Sequence, residues 1–192
     1  MREGLGILFA GFVLLSCAIW LVLHPPQARA AEIGFDAGFC LQIDQSHPDL
    51  IWALPAPIGA EAPVLQIVRI GLPLSDSDQI EFAPGLLHSS FDRYYSFTRL
   101  ALGVSYLRGR VAGGSPAPYA RVGGHLRLES NSAPYYDETG VQFGISGGAG
   151  LKWKVGEIVG FRSEALALRW FRGGLADSWD LALRGGISVF TK

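Results

Sequence analysis

Val141-Gln142-Phe143-Gly144-Ile145-Ser146-Gly147-Gly148-Ala149-Gly150-Leu151-Lys152-Trp153 is the stretch that decides the fold. Its odd positions read Val, Phe, Ile, Gly, Ala, Leu and Trp, and its even positions read Gln, Gly, Ser, Gly, Gly and Lys. Successive side chains of a β-strand point to opposite faces. A strand therefore sorts this stretch into one oily face and one small, polar face. A helix, with about 3.6 residues per turn, would mix the two sets.

The same sorting recurs on both sides of this stretch. Ile33, Phe35, Ala37, Phe39 and Leu41 alternate with Gly34, Asp36, Gly38, Cys40 and Gln42. Leu100, Leu102, Val104 and Tyr106 alternate with Arg99, Ala101, Gly103 and Ser105. Ala120, Val122, Gly124, Leu126 and Leu128 alternate with Arg121, Gly123, His125, Arg127 and Glu129. Trp179, Leu181, Leu183, Ile187 and Val189 oppose Asp180, Ala182, Arg184, Gly186 and Ser188. Residues 64–74 and 79–88 sort less sharply, with Arg69 and Glu81 on their polar faces. In 158–171, Arg162 and Glu164 share a parity with Leu166, Leu168 and Trp170. A bulge near Ala165 would restore the sorting there.

These stretches make eight strands. Turn chemistry separates them at Ser75-Asp76-Ser77-Asp78, Gly113-Gly114-Ser115-Pro116 and Val155-Gly156-Glu157. The second and third strands, and the sixth and seventh, are joined tightly, while the first-to-second, fifth-to-sixth and seventh-to-eighth links are longer and more polar. Short turns at one end and longer loops at the other define an antiparallel up-and-down barrel.

A soluble barrel turns its oily face inward, and a membrane barrel turns it outward. Charged residues are only 17% of the chain, glycines number 25, and the mean hydropathy is +0.26. A soluble surface seldom spends so many positions on bare glycine, whereas a narrow interior has little room for large side chains. The expected fold is therefore an all-β, eight-stranded antiparallel up-and-down transmembrane β-barrel with the polar faces inside. The expected lumen network, structural in role, is Asp36, Arg69, Glu81, Arg99, Arg121, Arg127, Glu129, Arg162, Glu164 and Arg184. Trp153, Tyr106, Trp170 and Trp179 lie near strand ends, where an interfacial girdle would sit.

The first thirty residues have another pattern. Arg2 precedes an uncharged run from Leu5 to Leu23, followed by Pro25-Pro26 and Ala28-Arg29-Ala30. A basic start, an apolar middle and a small-x-small end are the marks of a signal peptide cleaved after Ala30. The domain reading is a signal peptide over 1–30 and the barrel over 31–192. Export leaves a lone cysteine, Cys40, so no disulfide within the chain is expected.

In order, several short motifs resemble the successive strands of the small bacterial outer-membrane β-barrel family. They are Gly34-Phe35-Asp36-Ala37-Gly38, Val68-Arg69-Ile70-Gly71, Ile80-Glu81-Phe82-Ala83-Pro84 and Pro118-Tyr119-Ala120-Arg121. Gly147-Gly148-Ala149-Gly150-Leu151-Lys152, Phe161-Arg162-Ser163-Glu164-Ala165 and Gly185-Gly186-Ile187-Ser188-Val189-Phe190 resemble the last three strands. The resemblance covers most of 32–192 and implies an eight-stranded barrel of the OmpA/OmpX type. Two features depart from the pattern. Thr191-Lys192 follow Phe190, where such chains commonly finish on an aromatic residue. A proline-containing segment, 51–62, lengthens the first loop as a flap or as an extension of the second strand.

Other chemistry finds little purchase. The net charge of -1 offers no pull toward nucleic acid. His24, His47, His88 and His125 lack ligand spacing, so neither a metal nor a cofactor is expected. His88-Ser89-Ser90 resembles the His-x-Ser element of outer-membrane lipid A deacylases. Here, however, it sits in the third strand on the lipid-facing parity, and no Glu follows it before Glu129. The functional expectation is a non-enzymatic barrel of the cell outer membrane with an envelope or surface role and at most a narrow pore. Its partners would be membrane lipid and, during biogenesis, the barrel-assembly machinery, with the barrel itself monomeric. Two alternatives stand beside it: a soluble periplasmic barrel holding an apolar ligand, and a lipid-modifying outer-membrane enzyme.

Overall fold

Leu50–Ala53, Pro57–Ile58 and Val64–Gln66 are three short strands in the wall of what is otherwise a barrel of long staves. The computed structural model describes residues 31–43, 50–53, 57–58, 64–66, 68–92, 95–109, 115–133, 136–171 and 179–191. The signal-peptide expectation for 1–30 lies outside the described residues. In chain order the strands are β1 (Glu32–Ile43), β2 (Leu50–Ala53), β3 (Pro57–Ile58), β4 (Val64–Gln66), β5 (Arg69–Pro73) and β6 (Asp78–Asp92). They continue with β7 (Tyr95–Arg108), β8 (Ala117–Ala133), β9 (Tyr136–Val155), β10 (Val159–Phe171) and β11 (Trp179–Phe190).

Neighbouring staves pair antiparallel from β5 through β11. The ring closes because β1 pairs with both β11 and β5. The result is the expected all-β, eight-stranded closed antiparallel barrel. Closure removes the bare edges of an open sheet and satisfies the backbone from within. The seam is long, with twelve residues of β1 running in register with β11 from Glu32↔Phe190 to Ile43↔Trp179. Below the seam, the Ala31 N–H donates to Thr191 Oγ1 at 2.9 Å, and the Thr191 N–H donates to the Ala31 carbonyl at 2.8 Å.

The second stave is interrupted. β4 pairs β6 at Gln66↔Gly85, and β5 resumes at Ile70↔Phe82, one residue out of step. Pro84 has no N–H to give a ladder, and it sits in β6 opposite this break, where none is required. Around the break, β2 lies against β1 at Gly38↔Ala53, and β3 lies against β4. The segment flagged in 51–62 therefore contributes two short strands to the wall.

The β5–β6 turn at 74–77 is held by Ser75, whose hydroxyl accepts the Asp78 N–H at 3.0 Å and donates to Asp78 Oδ2 at 2.6 Å. The β9–β10 turn relies on Gly156, at φ +74°, where a side chain would strain the backbone. At the other end, β8 and β9 run on to Ala133 and Tyr136, so the expected polar link between the fifth and sixth staves is itself paired strand.

The alternation read at 141–153 holds, with Gln142, Ser146 and Lys152 buried inside and Val141, Phe143, Ile145 and Leu151 exposed outside. β10 corrects an expectation. Its pairing with β9 and β11 runs unbroken through Ala165, with no bulge. Leu166, Leu168 and Trp170 therefore point into the lumen beside Arg162 and Glu164. Trp170 is only 3% exposed and is not a girdle residue. Tyr106 and Trp179 do face outward, at opposite ends.

Candidate functional site

The lumen is built in two layers. The lower layer, toward the short turns, takes one or more inward positions from every stave except β7. There Gly103 and Ser105 leave space for the larger groups opposite, and Leu107 is buried beside them.

Arg69 projects from the first position of β5 and is completely buried. Its Nε donates to Asp36 Oδ2 at 3.1 Å. Nη2 donates to Asp36 Oδ1 at 3.2 Å and to Ser188 Oγ at 3.0 Å, and Nη1 reaches Glu32. Arg162 from β10 mirrors it. Its Nη1 donates to Glu81 Oε2 at 2.6 Å, and Nη2 to Asp36 Oδ2 at 2.8 Å and Glu164 Oε1 at 3.1 Å. Arg121 from β8 grips both oxygens of Glu164, at 3.1 and 3.2 Å, and approaches Glu81 Oε1 at 3.0 Å. The Tyr119 hydroxyl donates to Glu164 Oε2 at 2.8 Å. Lys152 binds Glu32 and donates to Gln79 Oε1 at 2.8 Å. Arg184 donates to Gln66 Oε1 at 3.2 Å and lies 4.0 Å from Glu164.

Four carboxylates, Glu32, Asp36, Glu81 and Glu164, thus sit among five cations, Arg69, Arg121, Lys152, Arg162 and Arg184. Buried charge is tolerated only when its neutralisation and hydrogen bonding are both nearly complete. The guanidinium forks of Arg69, Arg121 and Arg162 answer that demand by each bridging two or more carboxylates, while Arg184 bonds Gln66 and approaches Glu164. Glycines on the same face make the room. A Cβ on Gly34 would collide with the Arg69 guanidinium, and one on Gly186 with the Asp36 carboxylate.

The upper layer mixes apolar and polar side chains. Cys40, Leu166 and Ala182 form one cluster, and Ala101, Leu168 and Trp170 another. Polar groups enter it in pairs. The Trp170 indole donates to Asp180 Oδ2 at 3.1 Å, and His125 Nε2 shares a hydrogen bond with Ser146 Oγ at 2.8 Å. Arg127 lies over the Trp170 ring at 4.5 Å, binds Gln142, and pairs with Glu129 at 3.1 Å. Arg99 reaches the same Glu129 oxygen at 3.3 Å.

All ten expected network residues point inward, but they do not form one group. Asp36, Arg69, Glu81, Arg121, Arg162, Glu164 and Arg184 share the lower clamp, whereas Arg99, Arg127 and Glu129 belong to the upper layer. Sequence reasoning missed Glu32 and Lys152 as clamp members, along with Gln66, Gln79, Tyr119 and Ser188. Inward parity alone marked Lys152 and Tyr119. His88 faces outward on β6 and bonds Thr98 on β7 at 2.9 Å, while the side chains of Ser89 and Ser90 lie outside the described residues.

A closed ring of eight antiparallel strands with an ion-filled interior and an oily exterior is the architecture of the small outer-membrane barrels. Neisserial surface protein A superposes with a TM-score of 0.58 at 12% identity, over 83% of this chain and 96% of that one. Ail, the attachment invasion locus protein of Yersinia pestis, superposes with a TM-score of 0.52 at 12% identity, over 85% of this chain and 99% of that one. No protein-family model and no curated protein sequence matches the chain. The likeness is one of fold, at identities too low to carry a role.

Proposed function

We propose that this chain is a non-enzymatic β-barrel of the bacterial outer membrane, monomeric, with a filled lumen and a role in envelope integrity or surface contact. The observation that carries the reading is the polarity of the wall. Leu183 is 62% exposed and Val122 59%, on an outer face that also bears Phe35, Phe143, Ile145 and Ile187. Arg69, Arg162 and Asp36 are sealed inside. Water would favour the reverse arrangement, and a contiguous apolar exterior on a closed sheet suits lipid. Among the described residues the clamp and the mixed layer above it are stacked along the inside, so permeation is narrow at most. The network lends itself to holding charge rather than to chemistry, with each carboxylate already engaged by cations. No nucleic-acid partner is proposed. Engagement with the barrel-assembly machinery during biogenesis follows from the same reading.

Cell fractionation tests this directly. The expected result is recovery with outer membranes and a heat-modifiable gel shift after refolding in detergent, with no steady conductance in planar bilayers. A detergent-free soluble monomer would overturn the membrane reading. A large stable conductance would overturn the filled lumen.

A further inference from the structure

The lipid-facing wall is not uniform. Across β9, β10 and β11 the belt dips where small residues replace large ones. Gly147, Ala165 and Ala167 form the floor of a groove of about 570 Å³, and Phe39, Leu181 and Leu183 form its sides. The floor is continuous, because Ala167 pairs with Gly147 on one side and Leu181 on the other, and Ala165 pairs with Leu183. A Cβ added at Gly147 would meet only the Arg121 carbonyl oxygen, at 4.0 Å, so the space above it is open.

The next outward position on β10 beyond Ala167 is Arg169, about 7 Å further along the strand. Its guanidinium lies 5.1 Å from the Trp179 ring centre and 5.8 Å from that of Phe171. A cation on the outer wall of a membrane barrel is costly at mid-depth and tolerated near the interface, where aromatic side chains gather. Arg169 therefore marks the mouth of the groove at headgroup level. Groove and guanidinium lie on one line, at the spacing of a lipid's acyl chain and its headgroup.

We propose that this wall binds one phosphate-bearing anionic lipid, with an acyl chain lying along Gly147, Ala165 and Ala167 and the phosphate held by Arg169. The inference rests on the membrane reading above. The guanidinium fork matches phosphate oxygens, and small floor residues admit a chain that bulkier neighbours would exclude. A second copy of this chain fits less well. Packing about an axis along the membrane normal would set the two Arg169 side chains at one height, like charge against like.

Native mass spectrometry of the full exported chain tests the proposal, after refolding into phosphatidylcholine vesicles with a tenth of the lipid replaced by phosphatidylglycerol. The wild type is expected to retain one phosphatidylglycerol with about a fivefold preference over phosphatidylcholine, the worth of one cation near a headgroup. Arg169→Gln removes the preference, Arg169→Lys, which keeps the charge but loses the fork, keeps only part of it, and Ala167→Leu, which fills the groove with Arg169 intact, lowers retention. All three variants should show the heat-modifiable shift of the wild type. Equal retention by wild type, Arg169→Gln and Ala167→Leu would overturn the lipid site while leaving the membrane reading untouched. A two-chain species abolished by Ala167→Leu, with no lipid preference, would assign the groove to self-association and overturn it likewise. Failure of the wild type to insert into vesicles would overturn both readings.

Discussion

Arg162 on β10 donates to Glu81 on β6 at 2.6 Å, and these two staves stand diametrically opposite in the ring. The hydrogen bond therefore crosses the whole lumen and ties the two halves of the wall together from within. Arg162→Met removes the fork that also serves Asp36 and Glu164, leaving three carboxylates short of a partner. The expected loss is about 3–5 kcal/mol, the cost of breaking a buried ion cluster from one side. Urea unfolding in lipid vesicles reads this directly, and a loss below about 1 kcal/mol would show that the clamp contributes little.

Two adjacent glycines should respond in opposite ways. At Gly186 an added methyl meets the Asp36 carboxylate, while at Gly185 its nearest neighbour is the Arg162 carbonyl, 3.8 Å away on the open outer side. Gly186→Ala should destabilise by about 1–3 kcal/mol as Asp36 is pushed off its arginines. Gly185→Ala should be close to neutral. Equal effects in the same unfolding assay would contradict the inward and outward assignment of β11.

Depth on the outer wall should govern the cost of charge. Leu183 lies in the middle of the belt, opposite Ala165 and Phe39. Leu183→Arg is expected to cost about 2–4 kcal/mol in vesicles. Val155→Arg, beside the short β9–β10 turn, should cost about 0–1 kcal/mol. Matching costs at the two positions would mean that no bilayer spans this wall as proposed.

The β5–β6 turn predicts a pH effect outside the bilayer. Hydrogen bonds from Ser75 at 2.6 Å and Tyr106 at 2.5 Å hold the Asp78 carboxyl below its ordinary range. A carboxylate with a depressed pKa stabilises the fold at pH values above its unfolded value and loses that contribution as pH falls through the folded one. The wild-type melting midpoint should therefore exceed that of Asp78→Asn near neutrality and converge with it in acid. A constant gap from neutral to acid pH would rule the turn contact out as the source.

The parity of β9 was legible because its two faces differ in every pair from Val141 to Lys152 except Gly147-Gly148. β10 was not, and the reason is physical. A period of two says which residues share a face but not that the face has one polarity along its length. The lumen changes character halfway up, from the Arg162 and Glu164 level to the Leu166 and Trp170 level. A bulge was expected at Ala165 because an oily residue on a polar face looked like an error of register. The partners were also beyond reach. Arg121 and Glu164 share a face only in the weak sense that both point inward, and their pairing depends on the stagger around the ring. Glu32 escaped because the strand was expected to start at Ile33, and one residue more brought a carboxylate into reach of Arg69 and Lys152.

The stitched seam has a consequence for how the molecule is made. β1 finds its partner β11 across about the full described length, with Ala31 and Thr191 separated by 160 positions. Until β11 arrives, everything from β1 to β10 is an open ribbon with two raw borders, each able to capture a stranger. Closure is therefore a late event dominated by distant contacts, and distant contacts form slowly. A chain severed before residue 179 would lose more than one stave. It would keep both borders, and its danger to the cell would lie in what it adhered to rather than in what it failed to do.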